Sequence, residues 1–248
     1  MKIIPLSEGA FTVDRSKQFI PFDKEKDDLQ KRPLGSLLVE VQPFCIVTTK
    51  DILIIDTGLG FTNAEGVLQI HENLMHHGIG ALEVTKVLIS HLHKDHCHGM
   101  ALLDQQLGQY FLSFPNATYY VNKNELAAAL EKGEPTYVTD KIKLLQSSDK
   151  VHLMEDHETI DDYITFEVTG GHSPYHGVFT IKEGNEIVFF GGDVAPQLQQ
   201  MKNRFIAKYD FDGRKCMELR QQWWQQGQIE KWSFLFYHDI KTPVYTFQ

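Results

Sequence analysis

The sequence predicts an α/β protein built as a four-layer αβ/βα sandwich. Short apolar strand runs alternate with helical patterns. Their order is strands, helix, strand, polar loop, helices, then strands again with a closing helix and strand. Residues able to do chemistry recur at one position, the end of an apolar strand run. Layered α/β folds build their sites from loops at the carboxyl ends of strands.

The elements follow from the N-terminus. The charged stretch 24–32 reads as a solvated helix or loop, with a flap or a homodimer contact as the alternative. Strand signals stand at 36–41, 44–48 and 52–55. Residues 63–78 read as a helix, because Val67, Ile70, Leu74 and His77 fall at helical spacing and Gly78 suits its end. His71, His76 and His77 belong to that helix and carry no assigned chemistry. Residues 84–90, with Val87-Leu88-Ile89 inside, read as a buried strand, and 100–107 as a short helix. Asn122 and Glu125 form a capping-box-like start for a helix over 125–132, which Gly133 closes. Helical character continues to about Asp149. Strand runs at 164–168, 187–190 and 234–237 follow, and a long helix spans 213–226. Its Met217, Leu219, Trp223 and Trp224 mark a packed face rather than a cofactor box.

The 248 residues can bury a sizeable core in one domain, 1–248. A hydrophobic content of 42% fits a globular chain. No apolar run approaches the ~20 residues that span a bilayer, and the start lacks the apolar core of a secretory signal. Cys45, Cys97 and Cys216 are odd in number and scattered, which fits a reducing compartment. A cytoplasmic location is therefore expected. The formal charge of −9 argues against a nucleic-acid surface. The expected partner is a small-molecule substrate, with no nucleic acid and no membrane.

The segment His91-Leu92-His93-Lys94-Asp95-His96 directly follows the 84–90 strand run. Three imidazoles and a carboxylate in one short loop are costly to bury without a partner. They are the ligand types that suit zinc, and also iron and manganese. Further candidates end later strands: His172 after 164–168, Asp193 after 187–190 and His238 after 234–237. Cys97 reads as a packed thiol and His98 as a wall residue rather than a ligand. Asp56, at the end of 52–55, reads as orienting a ligand His or a water, and as a turn former before Gly58.

These pieces, in this order, resemble the metallo-β-lactamase fold superfamily over nearly the whole chain. They are Asp56-Thr57-Gly58, the His91 to His96 motif, Gly171-His172-Ser173-Pro174-Tyr175-His176, Gly192-Asp193 and His238. Leu6 through Ser16 and Phe114 through Val121 carry a closer likeness to the lactonase and methyl parathion hydrolase branch. The resemblance implies a dinuclear site. His91, His93 and His172 would hold one metal, Asp95, His96 and His238 the other, with Asp193 bridging. It implies two divalent ions, zinc first, with iron or manganese as alternatives. A hydroxide shared by the metals would be the nucleophile, since metal binding lowers the pKa of water from ~15.7 toward ~7. Asp95 would also orient it. His176 would be structural, and the insert before His172 would help cover the site. Flavodiiron relatives usually carry a carboxylate where His93 stands, and a flavin domain for which there is no room here, so hydrolysis is expected over redox chemistry.

The expected activity is hydrolysis of an ester-like small molecule, a lactone or ester first and a phosphotriester second. A glyoxalase-II-like thioester hydrolase is one alternative, and a metal- or ligand-binding protein without turnover is another. Many acyl-homoserine lactonases carry a substrate-contacting Tyr three residues after the bridging Asp. That position is Pro196 here, which points away from homoserine-lactone specificity. Tyr175 is a candidate substitute.

Overall fold

The computed structural model describes residues 1–247. The first six-stranded sheet runs β1 (Lys2–Pro5), β5 (Phe44–Val47), β6 (Ile52–Ile55), β7 (Lys86–Leu88), β10 (Thr118–Asn122), β11 (Val151–Met154). The second runs β12 (His157–Ile160), β13 (Ile164–Val168), β14 (Gly177–Glu183), β15 (Glu186–Phe190), β16 (Ser233–Leu235), β17 (Val244–Thr246). A small sheet joins β2 (Gly9–Val13), β3 (Phe19–Pro21) and β4 (Leu37–Val41), and β8 (Ala101–Asp104) pairs with β9 (Gln109–Leu112). The helices are α1 (Gln69–His76), α2 (Lys94–Cys97), α3 (Lys123–Lys132), α4 (Thr139–Ile142), α5 (Leu144–Ser147), α6 (Leu198–Lys202) and α7 (Gly213–Glu230).

Side-chain alternation along the strands creates the layers. Successive residues of a strand point to opposite faces. On β5 and β6, Cys45 and Ile54 face the helices, while Phe44, Ile46, Leu53 and Ile55 face the other sheet. The helix side of the first sheet packs against Ile70 and Leu74 of α1, Leu126 and Ala129 of α3, Ile142 of α4 and Leu145 of α5. Between the sheets, Phe44, Ile55 and Leu88 meet Phe166, Phe179, Ile181 and Phe190. On the far side, Phe189 and Phe234 pack with Leu198, Met201 and Trp232, and with Trp223 and Trp224 of α7. Each fully buried side chain of this size contributes about 1.5–3 kcal/mol. Helix, sheet, sheet, helix is the expected four-layer sandwich.

Strand direction brings the candidate residues to one rim. β13 and β15 are both antiparallel to β14, and β16 is parallel to β15. β13, β15 and β16 therefore point the same way, and their following loops share one edge of the second sheet.

Three local readings need correction. Residues 100–107 are not helical. They form β8 and a turn in which Asp104 Oδ1 accepts from Gln106 N at 2.8 Å and Leu107 N at 2.9 Å. Gly108 sits at φ +64°, a conformation suited to glycine, and returns the chain into β9. The helix over 63–78 starts only at Gln69, because Asn63 Oδ1 accepts from Glu65 N and Val67 N, both at 3.0 Å. That Asx-type turn competes with a helical turn. At α3, Asn122 caps as expected, at 3.0 Å to Asn124 N and 2.9 Å to Glu125 N. Glu125 does not close the box; its side chain turns toward the metal-motif loop.

Candidate metal centre

The motif loop leaves the first sheet after β7, and His172, Asp193 and His238 leave the second after β13, β15 and β16. Seven side chains from opposite sheets thus meet at the rim of the sandwich. Three ligand sets emerge, the atoms of each lying within 4.8 Å of one another: His91, His93 and His172; His91, His96 and Asp193; and Asp95, His96 and His238. All the residues expected at the site come together.

On one side, His93 Nδ1 lies 2.9 Å from His91 Nε2 and 3.2 Å from His172 Nε2. Zinc–nitrogen bonds of ~2.0–2.1 Å in a tetrahedron place ligand nitrogens about 3.3 Å apart. On the other side, His96 Nε2 and His238 Nε2 each lie 3.1 Å from Asp193 Oδ1. Asp95 Oδ2 is 3.7 Å from His96 Nε2 and 3.6 Å from His238 Nε2. Asp193 turns its other oxygen, Oδ2, to His172 Nε2 at 3.3 Å. One carboxylate thus addresses both halves.

In four of the five imidazoles the second ring nitrogen is anchored, which fixes the tautomer. His238 Nδ1 donates to the Glu40 carbonyl at 2.7 Å. His172 Nδ1 donates to Asp210 Oδ1 at 2.9 Å, and His96 Nδ1 to Asp56 Oδ2 at 2.7 Å. His91 Nδ1 meets Ser90 Oγ at 3.1 Å, and that hydroxyl donates to Asp56 Oδ2 at 2.7 Å. Asp56 thus steadies two imidazoles, as its position after β6 suggests. Each of these four rings aims Nε2 into the cage.

The electrostatics fit a cation. His96 Nε2 and Asp193 Oδ1 are buried and make no hydrogen bond. Burial opposes charge on His96, yet Asp193, Asp95 and Asp56 together hold its pKa well above the ordinary value. Burial likewise opposes charge on Asp193, but His238, His96 and His172 hold it well below the carboxylate range. Burial and then neighbouring imidazoles push His91 and His93 well down, so both stay neutral, the form that binds metal.

The surrounding residues sort as follows. His176 is a buttress: its Nε2 accepts from Asp193 N at 3.0 Å. Gly192 makes room for it at φ +48°, where a Cβ would stand 2.5 Å from that nitrogen. Cys97 is a buried thiol, Sγ to Leu92 O at 3.3 Å, with its pKa raised by burial. His98 Nδ1 bonds the Leu59 carbonyl at 3.1 Å, and burial lowers its pKa to about 4. Tyr175 makes no ring contact with the cage among the described residues. Asp210 and Tyr209 escaped the sequence reading, in which Glu125 is only a helix-capping partner. Asp210 stands two residues before Asp212, the α7 cap, and carries no pattern of its own. Glu125 Oε1 accepts from Leu92 N at 2.9 Å inside the motif loop, and Ser173 Oγ lies 3.5 Å from Oε2. Tyr209 sets its ring edge-on to His172, centroids 6.1 Å apart.

Comparison with known proteins bears on the family and the fold. Residues 39–223 match the family described as the metallo-beta-lactamase superfamily. No curated protein matches the chain. Among solved structures, a probable metal-dependent hydrolase from Staphylococcus aureus superposes with TM-score 0.78 at 22% identity, over 99% of this chain and 91% of that one. The hydrolase AbOPH, of the beta lactamase superfamily, gives 0.74 at 22% identity, over 99% and 90%. AidC, a dizinc quorum-quenching lactonase in complex with N-hexnoyl-L-homoserine as product, gives 0.71 at 19% identity, over 98% and 88%.

Proposed function

The chain belongs to the metallo-beta-lactamase superfamily, and from that premise we propose that this metal-dependent hydrolase uses two metal ions to open an ester-like small molecule, a lactone or simple ester first. The observation that carries the reading is Asp193, whose Oδ1 serves His96 and His238 while Oδ2 serves His172. His91, His93 and His172 would hold one ion, Asp95, His96 and His238 the other. Zinc suits this imidazole and carboxylate set, and the similarly folded AidC is a dizinc enzyme. Bound divalent ions supply a water that ionises near neutral pH and a Lewis acid for the substrate oxygen.

The chain's own work is to place that chemistry. The Asp56–Ser90–His91 relay and the Asp210 and Glu40 contacts hold the imidazoles at fixed angles. Asp95 sits at the second half of the cage with its backbone carbonyl pinned by Tyr237 Oη at 2.6 Å, a position from which it can orient the attacking water. Pro196 has no hydroxyl to offer a substrate, and its carbonyl accepts from His238 N at 3.0 Å. Simple esters and varied lactones should therefore compete well with homoserine lactones. The two sheets share one buried interface, which supports reading 1–248 as one domain.

The test pairs metal analysis with a hydrolysis screen of zinc-loaded protein over aryl esters, lactones, thioesters and organophosphates. The expected result is two ions per chain, turnover of esters or lactones, and loss of most of it in Asp95→Ala. One ion per chain at saturation, or full turnover by a folded Asp95→Ala, would sink the two-metal reading.

A further inference from the structure

The loop 203–212 carries Phe205, Ile206, Tyr209 and Phe211, all exposed, beside the candidate metal centre. Its place is fixed. Phe211 N donates to the His172 carbonyl at 3.1 Å, and Asp212 N to that of Gly171 at 2.8 Å. Asp212 then caps α7 through Lys215 N at 2.9 Å. With Asp210 on the ring of His172, the loop is tied to Gly171 and His172 at three successive residues. Tyr209, the residue before them, is carried in by the same ties.

The hydroxyls near the cage differ in what remains for them to do. Ser90 Oγ is spent on Asp56, and Tyr237 Oη on the Asp95 carbonyl. Tyr137 has its ring 5.3 Å from His93 but is only 2% exposed. Tyr209 is 42% exposed, its ring stands edge-on to His172 at 6.1 Å, and burial, with the Asp193 and Asp210 carboxylates adding to it, pushes its pKa up. The Gln200 side chain offsets part of that rise. Among the described residues, the phenol itself donates to no acceptor. A half-exposed tyrosine beside the cage with its phenol hydrogen uncommitted is a donor waiting for an acceptor.

We propose that Tyr209 is a catalytic residue that donates a hydrogen bond to the carbonyl oxygen of the bound ester or lactone on the His172 side of the centre. The exposed Phe205, Ile206 and Phe211 then form an apolar shelf for the group attached to that carbonyl. As the attacking water adds, the carbonyl π pair moves onto this oxygen and its negative charge grows. The phenol hydrogen bond strengthens with that charge, which is the condition for a contact to raise kcat. The proton stays on Tyr209 throughout. The assignment rests on the proposed hydrolysis and names the residue that recognises the reacting carbonyl.

Tyr209→Phe keeps the ring against His172 and removes only the hydroxyl. In zinc-loaded protein we expect kcat/KM for aryl esters and lactones to fall on the order of 10²-fold, the scale of one lost oxyanion donor, with kcat carrying most of the loss. Bound zinc and the melting temperature should match wild type. Calorimetric titration with a short-chain carboxylate, which presents the product's oxygens, should show weaker binding to the variant. Retained activity together with unchanged carboxylate affinity overturns the assignment. A loss that tracks a loss of zinc also overturns it, since Tyr209 would then serve only to seat His172. A wild-type protein that binds two zinc ions and turns over no ester, lactone or thioester overturns the hydrolysis itself, and this assignment with it.

Discussion

At the scale of single residues, the proposed centre depends on groups outside its candidate ligand set. Asp56 receives His96 directly and His91 through Ser90, so Asp56→Asn weakens both halves at once. We expect metal affinity to drop about 10–100-fold, read by competition with a chromophoric chelator. Glu8 offers a second test. It is buried, with Oε2 accepting from Leu59 N at 2.6 Å and Oε1 without a partner. Burial raises its pKa from 4.5 to about 7 despite backbone hydrogen bonds from Leu59 and Gly60. Below about pH 4.5 the acid is protonated in both folded and unfolded chains and costs nothing. Above pH 7 the folded chain holds a buried carboxylate. The favourable contribution is therefore lost as pH rises through 4.5 to 7, by about 3 kcal/mol. Urea titrations of metal-stripped protein at pH 5 and 8 should show that loss in wild type and not in Glu8→Gln. Equal slopes with pH in the two proteins would remove Glu8 from the account.

At the scale of elements, α3 works as a clamp. Glu125 reaches from its first turn to the motif loop at Leu92 and toward Ser173 beside His172. Glu125→Leu leaves the buried Leu92 N–H without an acceptor and should cost about 1–3 kcal/mol. Glu125→Gln keeps an acceptor and should stay near wild type in chemical denaturation. This clamp was illegible in sequence, because Glu125 three residues after Asn122 has the spacing of a capping partner, and only the tertiary neighbour redirects it. The hairpin at 101–112 was missed for a related reason. Leu102, Leu103 and Leu107 can be read at helical spacing, and the Asp104 turn decides between the two readings. The metal motif was legible because its density of ligand types has little use elsewhere, and His172, Asp193 and His238 because each ends a recognisable strand. Asp210 and Tyr209 lie on a loop without periodicity, and only their distance to His172 marks them.

At the scale of the whole molecule, the interface between the sheets is one of its two large buried cores. Phe166 is fully buried there, with Phe179 5.1 Å away and Gly177 pressed so close that a Cβ would overlap the ring. Phe166→Ala should cost about 3–5 kcal/mol, measured by urea unfolding of metal-loaded protein. A loss below about 1 kcal/mol would mean that the sheets slide together to fill the space. The same interface ends, at its rim, in the candidate centre, whose motif loop follows the first sheet and whose other three candidate ligands follow strands of the second. Ions held there would act as a rivet through both plates. Ligand at 100 times its dissociation constant adds ~2.7 kcal/mol to the folded state, and the larger effect should be on time. If the plates part only after the rivet leaves, half-lives in strong denaturant should lengthen with free zinc and collapse on adding chelator. His93→Ala and His238→Ala, though they sit on opposite plates, should then shorten the lifetime alike, and the age of a folded molecule becomes a record of how long it has kept its metal.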